Sequence, residues 1–486
     1  MNIETLFSNV IPSIYWTFTL AILLIIVDAF TKKESKVQMA VAFLGLCFIL
    51  TQSIFSIFTD TVSNEISLAI RDFDKGMLIF NNITSYFDIL FCLAGLLTVL
   101  VSKDYLSKVY EHYKEHYSLL IFAIFGMMCI AHSNNLIVLF LGIETMSITF
   151  YAMTGFLRKR ETAMEGALKY FLLGAFASGF LLYGMAMLYG STGSMDYLTI
   201  RDSIIMQEAI PLYLKLGIGL LLIGLLFKVA AFPFHQWAPD VYQATGTITA
   251  GFMSSAGKIA ALSGFVGIFA ALMPDGAISY TTEIISIIAV VSALTMLVGN
   301  ITALKQTNIK RILAYSSVGH AGYLLMGIVS NSAEGTSAIL YYSLAYILTQ
   351  IGAFIIIAII ETKEEKGLTL SEYAGLSKRH PFLSTTLAMF LFSLAGIPPF
   401  AGFFGKYYLF VSAINSGFTW LTIVAVITSI IACYFYLSII VAMYFKTEEN
   451  ENVSQHIGKV RLSKATILVA AIGIVVISFI PFLDIM

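Results

Sequence analysis

Five lysines lie inside stretches apolar enough to be buried in a membrane: Lys169, Lys215, Lys228, Lys258 and Lys406. With the carboxylate Glu144, in LFLGIETMSITF, they are the residues whose type and placing could do chemistry. That chemistry is proton transfer. Burial and ion pairing shift a side chain's proton affinity in opposite directions, so a buried pair that can be made and broken is a proton switch. No basic residue shares a helix with Glu144, which leaves Lys228 and Lys169 as its candidate partners. The alternative is a fixed buried pair that joins two helices, an arrangement of little net stability because desolvation offsets most of the attraction.

Lys228 belongs to GIGLLLIGLLFKVAAFPFHQWAPDVY (217–242), where Pro233 interrupts the helix five residues later. His235 follows, seven residues after Lys228, and is either a proton shuttle or a satisfied structural histidine. Lys258 lies among Gly251, Ser254, Ser255, Gly257 and Ser263. These small and hydroxylated neighbours leave room for water beside an ammonium whose insertion costs ~2.5–3.5 kcal/mol. Lys406 ends LAGIPPFAGFFGK, after a break at Pro398 and Pro399. Ser316, Ser317, His320 and Tyr323 form a polar stripe that suits either a water chain or helix-to-helix hydrogen bonds. Glu165 and Lys169, four apart, have the spacing of a surface pair, so Lys169 divides between relay residue and interfacial anchor. Gly174, Ala175, Ala177, Ser178 and Gly179 offer a neighbouring helix a small-residue face. Lys215 can snorkel to the interface. Asp88 reads as a packing carboxylate and Asp28, at the end of the first span, as solvated.

Positioning these residues requires a membrane bundle. Of 486 residues, 58% are hydrophobic and 12% charged, more apolar surface than a soluble domain can hide. A net charge of −1 gives no footing for nucleic acid. The four cysteines (Cys47, Cys92, Cys129, Cys433) sit in apolar runs without CxxC or CxxH spacing, which argues against disulfides, zinc and iron–sulfur clusters. Residues 11–30 read as a retained first helix, since no basic region or cleavage site precedes them.

At about 20 apolar residues per crossing, the chain is expected to be all-α, with fourteen transmembrane helices. They fall near 11–30, 37–58, 78–101, 117–131, 135–157, 166–190, 212–243, 245–271, 282–305, 309–329, 337–361, 381–413, 418–445 and 463–484. The seventh and twelfth are broken. Their lysines lie on opposite sides of the break, the pattern of an inverted repeat around a pathway at the bilayer midplane. The loops then divide by charge. One set carries Lys32, Lys33, Lys36, Lys103, Lys108, Lys114, Arg158, Lys159 and Arg160, and then Lys305, Lys310, Arg311, Lys363, Lys366, Lys378, Arg379, Lys446, Lys459, Arg461 and Lys464. The other has only Arg71, Lys75 and Arg201. By the positive-inside rule the first set is cytoplasmic and both termini are periplasmic. Within that set, 361–380 is expected to form a surface helix.

Four tracts bring a family into view: LKYFLLGAFASGFLLYG (168–184), FKVAAFPFHQWAPDVYQ (227–243), NIKRILAYSSVGHAGY (308–323) and GIPPFAGFFGK (396–406). Nearly the whole chain resembles the antiporter-like membrane subunits of respiratory complex I, which are related to multi-subunit Na⁺/H⁺ antiporters. The WAPDVYQ ending and a lysine at 406 resemble the N type; the M type has glutamate there, and the L type a long C-terminal amphipathic helix. The tract ATGTI (244–248) departs from the family, whose N-type members have a proline-containing segment at that point.

The resemblance implies roles and boundaries. Glu144 would pair with Lys228, Lys258 would be the central relay and Lys406 the exit, with Lys169, His235 and His320 as possible further relay residues. Residues 1–116 would be an N-terminal three-helix segment, 117–272 and 273–446 the two inverted halves (helices 4–8 and 9–13), and 447–486 a cytoplasmic loop and last helix. The chain would translocate protons in a complex that transfers electrons from NADH, or another donor, to quinone. It would bind no cofactor or metal itself, the FMN, iron–sulfur clusters and quinone belonging to other subunits. Its partners would be the M- and L-type subunits, smaller subunits of the A, J, K and H types, and lipid, in a bacterial inner membrane. Two other classes stay open: a subunit of a cation/proton antiporter, and a non-pumping structural subunit.

Overall fold

The computed structural model describes residues 11–31, 36–58, 76–109, 114–206, 211–272, 279–362, 366–447 and 460–480. Lys32, Lys33, Arg71, Lys75, Lys363 and Lys459 lie outside the described residues. Within them the chain is helical and has no strand, only isolated bridges such as Leu78 with Ser133. The helices are α1 Ser13–Phe30, α2 Val37–Phe58, α3 Asn82–Val109, α4 Glu115–Ala131, α5 Leu136–Thr154 and α6 Glu161–Thr192. They continue with α7 Tyr197–Ile205, α8 Leu212–Lys228, α9 Trp237–Ala244, α10 Thr247–Phe252, a π turn Met253–Gly257, and α11 Lys258–Leu272. Then come α12 Ser279–Ala303, α13 Ile309–Val329, α14 Ala333–Ile360, α15 Leu376–Arg379, α16 Pro381–Ala395, α17 Ala401–Asn415, α18 Thr419–Phe445 and α19 Arg461–Phe479. Among the described residues eleven helical spans are long and apolar enough to cross a membrane, and α4 and α16 are shorter apolar helices. The protein is a multi-pass membrane protein.

Burial sorts the helices. Over their apolar windows α13 and α14 are 94% buried and α2 is 22% buried, so α13 and α14 form the axis and α2 the rim. An axial helix is covered all round, and α13 accordingly carries its serines, histidine and tyrosine inside protein. Small residues set the closest approaches. A Cβ on Gly299 of α12 would lie 2.5 Å from the Gly319 backbone nitrogen of α13, and one on Gly142 of α5 would lie 2.8 Å from that of Ile130 in α4. On α6 the small-residue face is narrower than its sequence suggests. Gly174, Ala177 and Ser178 are buried, whereas Ala175 and Gly179 are exposed.

The basic loops meet at one end of the bundle. Lys114 Nζ donates to the Thr31 carbonyl (3.2 Å), Lys108 Nζ to that of Ile359 (2.8 Å) and Lys310 Nζ to that of Thr245 (2.7 Å). Ser463 Oγ donates to Asp104 (2.7 Å). Two sequence expectations change here. Asp28 is half-buried and accepts from Ser118 Oγ (3.1 Å) because α4 packs against the end of α1. Lys310 is fully buried, since Thr245 ends α9 and its carbonyl has no helical partner. Residues 361–380 also differ from expectation, forming a 3₁₀ turn (Leu370–Tyr373) and the single-turn α15 in place of a surface helix. Glu372 accepts from the Leu368 and Thr369 amides (3.0 and 2.8 Å), a capping box that starts the 3₁₀ turn.

Glu361, the C-cap of α14, ties this end together. It is fully buried, accepting from Tyr105 Oη (3.0 Å), Thr247 Oγ1 (2.5 Å) and Arg160 Nη1 (3.2 Å). Thr247 lies within the ATGTI tract (244–248), which is thereby anchored by a hydroxyl–carboxylate bond. Removing one member of a buried ion pair leaves the other uncompensated, at a cost of about 3 kcal/mol. Glu361→Ala is therefore expected to lower the thermal midpoint of the detergent-solubilised protein markedly, and Glu361→Gln, which keeps two hydroxyl bonds, to lower it less. Equal midpoints for wild type and alanine variant would sink this assignment.

Candidate functional site

Two helix breaks and a π turn place the lysines. At the first break α8 ends on Lys228 and α9 starts at Trp237. The Trp237 indole N–H donates to the Phe227 carbonyl (3.0 Å), which also accepts from the Ala230 amide (3.0 Å), while its ring stacks on Tyr170 at 4.5 Å. The Phe232 amide donates to Thr295 Oγ1 of α12 (2.9 Å). The tryptophan of HQWAPD thus ties the segment after the break to the last turn of α8. Asp240, in the same motif, binds Arg311 Nη1 (2.7 Å) and fixes α9 to α13.

At the second break α16 stops at Ala395 and Gly396 takes φ +83°. Lys406, in the second turn of α17, folds back across that glycine and donates to the Ala395 carbonyl (3.1 Å) and to Ser429 Oγ (2.9 Å). The cation lies at the negative end of α16, 4.7 Å from the centre of the Tyr323 ring. Between the breaks, the π turn Met253–Gly257 leads directly into Lys258. One extra residue in a helical turn re-aims the side chain that follows, and Lys258 Nζ donates to Ser317 Oγ of α13 (2.8 Å).

Lys228, Lys258 and Lys406 are 4%, 2% and 3% exposed. Their hydrogen bonds go to hydroxyl and carbonyl oxygens, and among the described residues none forms an ion pair with a carboxylate. Lys228 donates to Ser147 Oγ (2.8 Å), while Glu144 accepts from Ser178 Oγ. Glu144 and Lys228 are within electrostatic reach of each other but are held by different serines. A lysine solvated only by neutral groups has its charge state set by the charges around it, which is the condition for proton relay.

The polar stripe on α13 lies between the second and third lysines. Ser316 Oγ shares a hydrogen bond with Tyr436 Oη of α18, which is 2.9 Å from His320 Nε2. His320 Nδ1 is 2.5 Å from Tyr342 Oη of α14, and the His320 and Tyr323 rings are 5.8 Å apart. Ser317 meets Lys258 at one end of the stripe and Tyr323 meets Lys406 at the other. Both lysines act electrostatically on His320.

Residues 133–432, which contain all four principal site residues, match the family described as NADH:quinone oxidoreductase/Mrp antiporter, TM. The chain is 41% identical to NADH-quinone oxidoreductase subunit N 1 of Chloroherpeton thalassium over 90% of its own length and 88% of the relative's. It is 45% identical to subunit N of Trichlorobacter lovleyi, covering 77% of this chain and 76% of that one. The chain belongs to the N-type membrane subunits of NADH-quinone oxidoreductase. A chain in the structure of respiratory complex I from Thermus thermophilus with bound aureothin superposes on it with a TM-score of 0.80 at 28% identity, covering 97% of this chain and 98% of the other.

In this N-type subunit not every candidate joins the lysine line. Lys169 is 46% exposed and pairs with Glu165 (2.7 Å) and Asp240 (3.4 Å), away from Glu144. Lys215 pairs with Glu283 (3.2 Å), and both are well exposed. His235 is half-buried, its Nδ1 has no partner among the described residues, and it lies within reach of Lys258. Four features were not legible beforehand: Ser147, Ser178 and Tyr436 as partners, and the π turn. A serine or tyrosine in an apolar helix carries no mark of its contacts until the helices are packed.

Proposed function

We propose that this N-type subunit translocates protons in the membrane arm of an NADH- or other donor-driven quinone oxidoreductase. Glu144 and Lys228 load the line, Lys258 is its centre and Lys406 its exit, with His320 bridging the last two. The arrangement rests on fourteen crossings, with residues 117–272 and 273–446 as inverted halves and both termini on the periplasmic side of a bacterial inner membrane. Redox groups belong to partner subunits, and the M-, L-, A-, J-, K- and H-type subunits are the proposed neighbours. What supports the reading is the set of three buried lysines held only by neutral oxygens, two of them contacting the same axial helix at Ser317 and Tyr323, with His320 between those residues. Displacing one charge changes its neighbour's proton affinity, so charge movement propagates as proton movement.

Because the matching family also includes Mrp antiporters, a cation/proton antiporter is the competing reading. Dye-monitored proton uptake by inverted membrane vesicles separates the two. Uptake driven by quinone reduction is expected to keep its rate when potassium replaces sodium. Uptake that requires sodium and runs without quinone reduction would favour the antiporter.

A further inference from the structure

A second buried titratable pair lies outside the lysine line, at the end of the bundle opposite the basic loops. Asp88 of α3 is fully buried, and His132, the residue capping α4, is 2% exposed. His132 Nε2 is 2.9 Å from Asp88 Oδ2, and its Nδ1 is 2.8 Å from the Ile79 carbonyl. Ser13 Oγ, in the first turn of α1, donates to the same Oδ2.

The proton count follows from these contacts. A carbonyl oxygen only accepts, so Nδ1 carries hydrogen. Nε2 then faces a carboxylate oxygen, and two lone pairs do not share 2.9 Å without a proton between them. Rotating the ring by 180° would put C–H groups at both positions and lose both bonds. The pair therefore holds one proton beyond a neutral imidazole and a carboxylate. It is written equally as imidazolium with carboxylate or as imidazole with carboxylic acid, net neutral in either form.

Two observations set it apart from a plain clamp. Asp88 Oδ1 is buried without a hydrogen-bond partner among the described residues, so the carboxylate is not fully satisfied as an ion. No lysine, arginine or second carboxylate among the described residues pairs with it. The titratable neighbours are the thiols Cys92 of α3 and Cys129 of α4, and Cys47 of α2 acts on Cys92. The Phe80 ring covers the imidazole at 5.0 Å.

We propose that Asp88 and His132 form a proton-binding site of their own, which takes up and gives back one proton independently of the lysines. Release leaves a carboxylate beside a neutral imidazole whose single N–H can serve only one of its two acceptors, so one of the two imidazole hydrogen bonds is given up; uptake restores the shared proton and that bond. The site deepens no step of the lysine relay, and its test does not depend on pumping.

The experiment is pH-difference infrared spectroscopy on the purified complex, comparing wild type, Asp88→Asn and Ser13→Ala. Asparagine keeps the size and a hydrogen bond to Nε2 but removes the titratable carboxyl group. Wild type minus Asp88→Asn is expected to show a carboxyl stretch and an imidazole ring mode that change together at one midpoint. Ser13→Ala, which removes one hydroxyl from the carboxylate, is expected to move that midpoint by about one pH unit, the scale of a single charge-assisted hydrogen bond. Superimposable wild-type and Asp88→Asn spectra at every pH would overturn the proposal. If Asp88→Asn does not assemble, an unmoved Ser13→Ala spectrum overturns it equally.

Discussion

Lys258→Ala is expected to reduce proton uptake coupled to quinone reduction by about a hundredfold, the scale of a lost acid–base group, while the subunit still assembles. Assembly should survive because the ammonium has no carboxylate to leave behind. Its hydrogen bond goes to Ser317 Oγ, and that hydroxyl keeps its own bond to the Ala314 carbonyl (2.7 Å). Exchanging an unpaired buried cation for a methyl group removes a desolvation cost and leaves a cavity among small residues. A structural lysine would behave in the opposite way, with assembly falling and uptake per assembled complex unchanged. Native-gel abundance and vesicle uptake, measured on the same membranes, therefore also separate a relay from the non-pumping structural subunit. Ser317→Ala, which keeps the charge but removes its partner, should reduce uptake less.

The second large effect is expected at Gly396, where a backbone position and a lysine position coincide. Its φ of +83° excludes β-branched residues at a cost of about 1–3 kcal/mol. A Cβ there would also lie 3.0 Å from Lys406 Cδ and 3.3 Å from its Nζ. Gly396→Val should push the ammonium off the Ala395 carbonyl and Ser429, and lower uptake by at least about tenfold, equivalent to ~1.4 kcal/mol. Gly417 supplies the control, since its φ is +86° but nothing lies within 4 Å of the added carbon. Gly417→Val carries the same backbone strain without touching a lysine and should leave uptake per complex near wild type. Equal losses from both variants would mean that strain, and not Lys406, is responsible.

What was legible in the sequence follows from what one helix can encode. Apolar runs located the helices, because hydrophobic length is a property of a segment by itself. The prolines located both breaks for the same reason. Lys228, Lys258 and Lys406 stood out because a cation in an apolar run is costly wherever the run ends up. Their partners could not be read. Ser147 reaches Lys228 only once the bundle is assembled, with α6 packed against both α5 and α8, and Tyr436 reaches His320 from more than a hundred residues away. Lys310 and Glu361 looked like loop charges, and burial came from the helix ends they cap, which appear only once the loops converge. The π turn before Lys258 has no compositional mark among Met253, Ser254, Ser255, Ala256 and Gly257. The surface pair of Lys169 with Glu165 was, by contrast, written in its four-residue spacing.

The central claim is that buried lysines form a proton path, and Lys228 tests it most directly because it stands at the end of α8, next to the break. The measurement is quinone-reductase activity with simultaneous proton uptake in vesicles carrying Lys228→Ala, with assembly checked on a native gel. Assembled complex with steeply reduced activity and uptake is the predicted result. Assembled complex that pumps at the wild-type rate would contradict the account and make the buried charge structural.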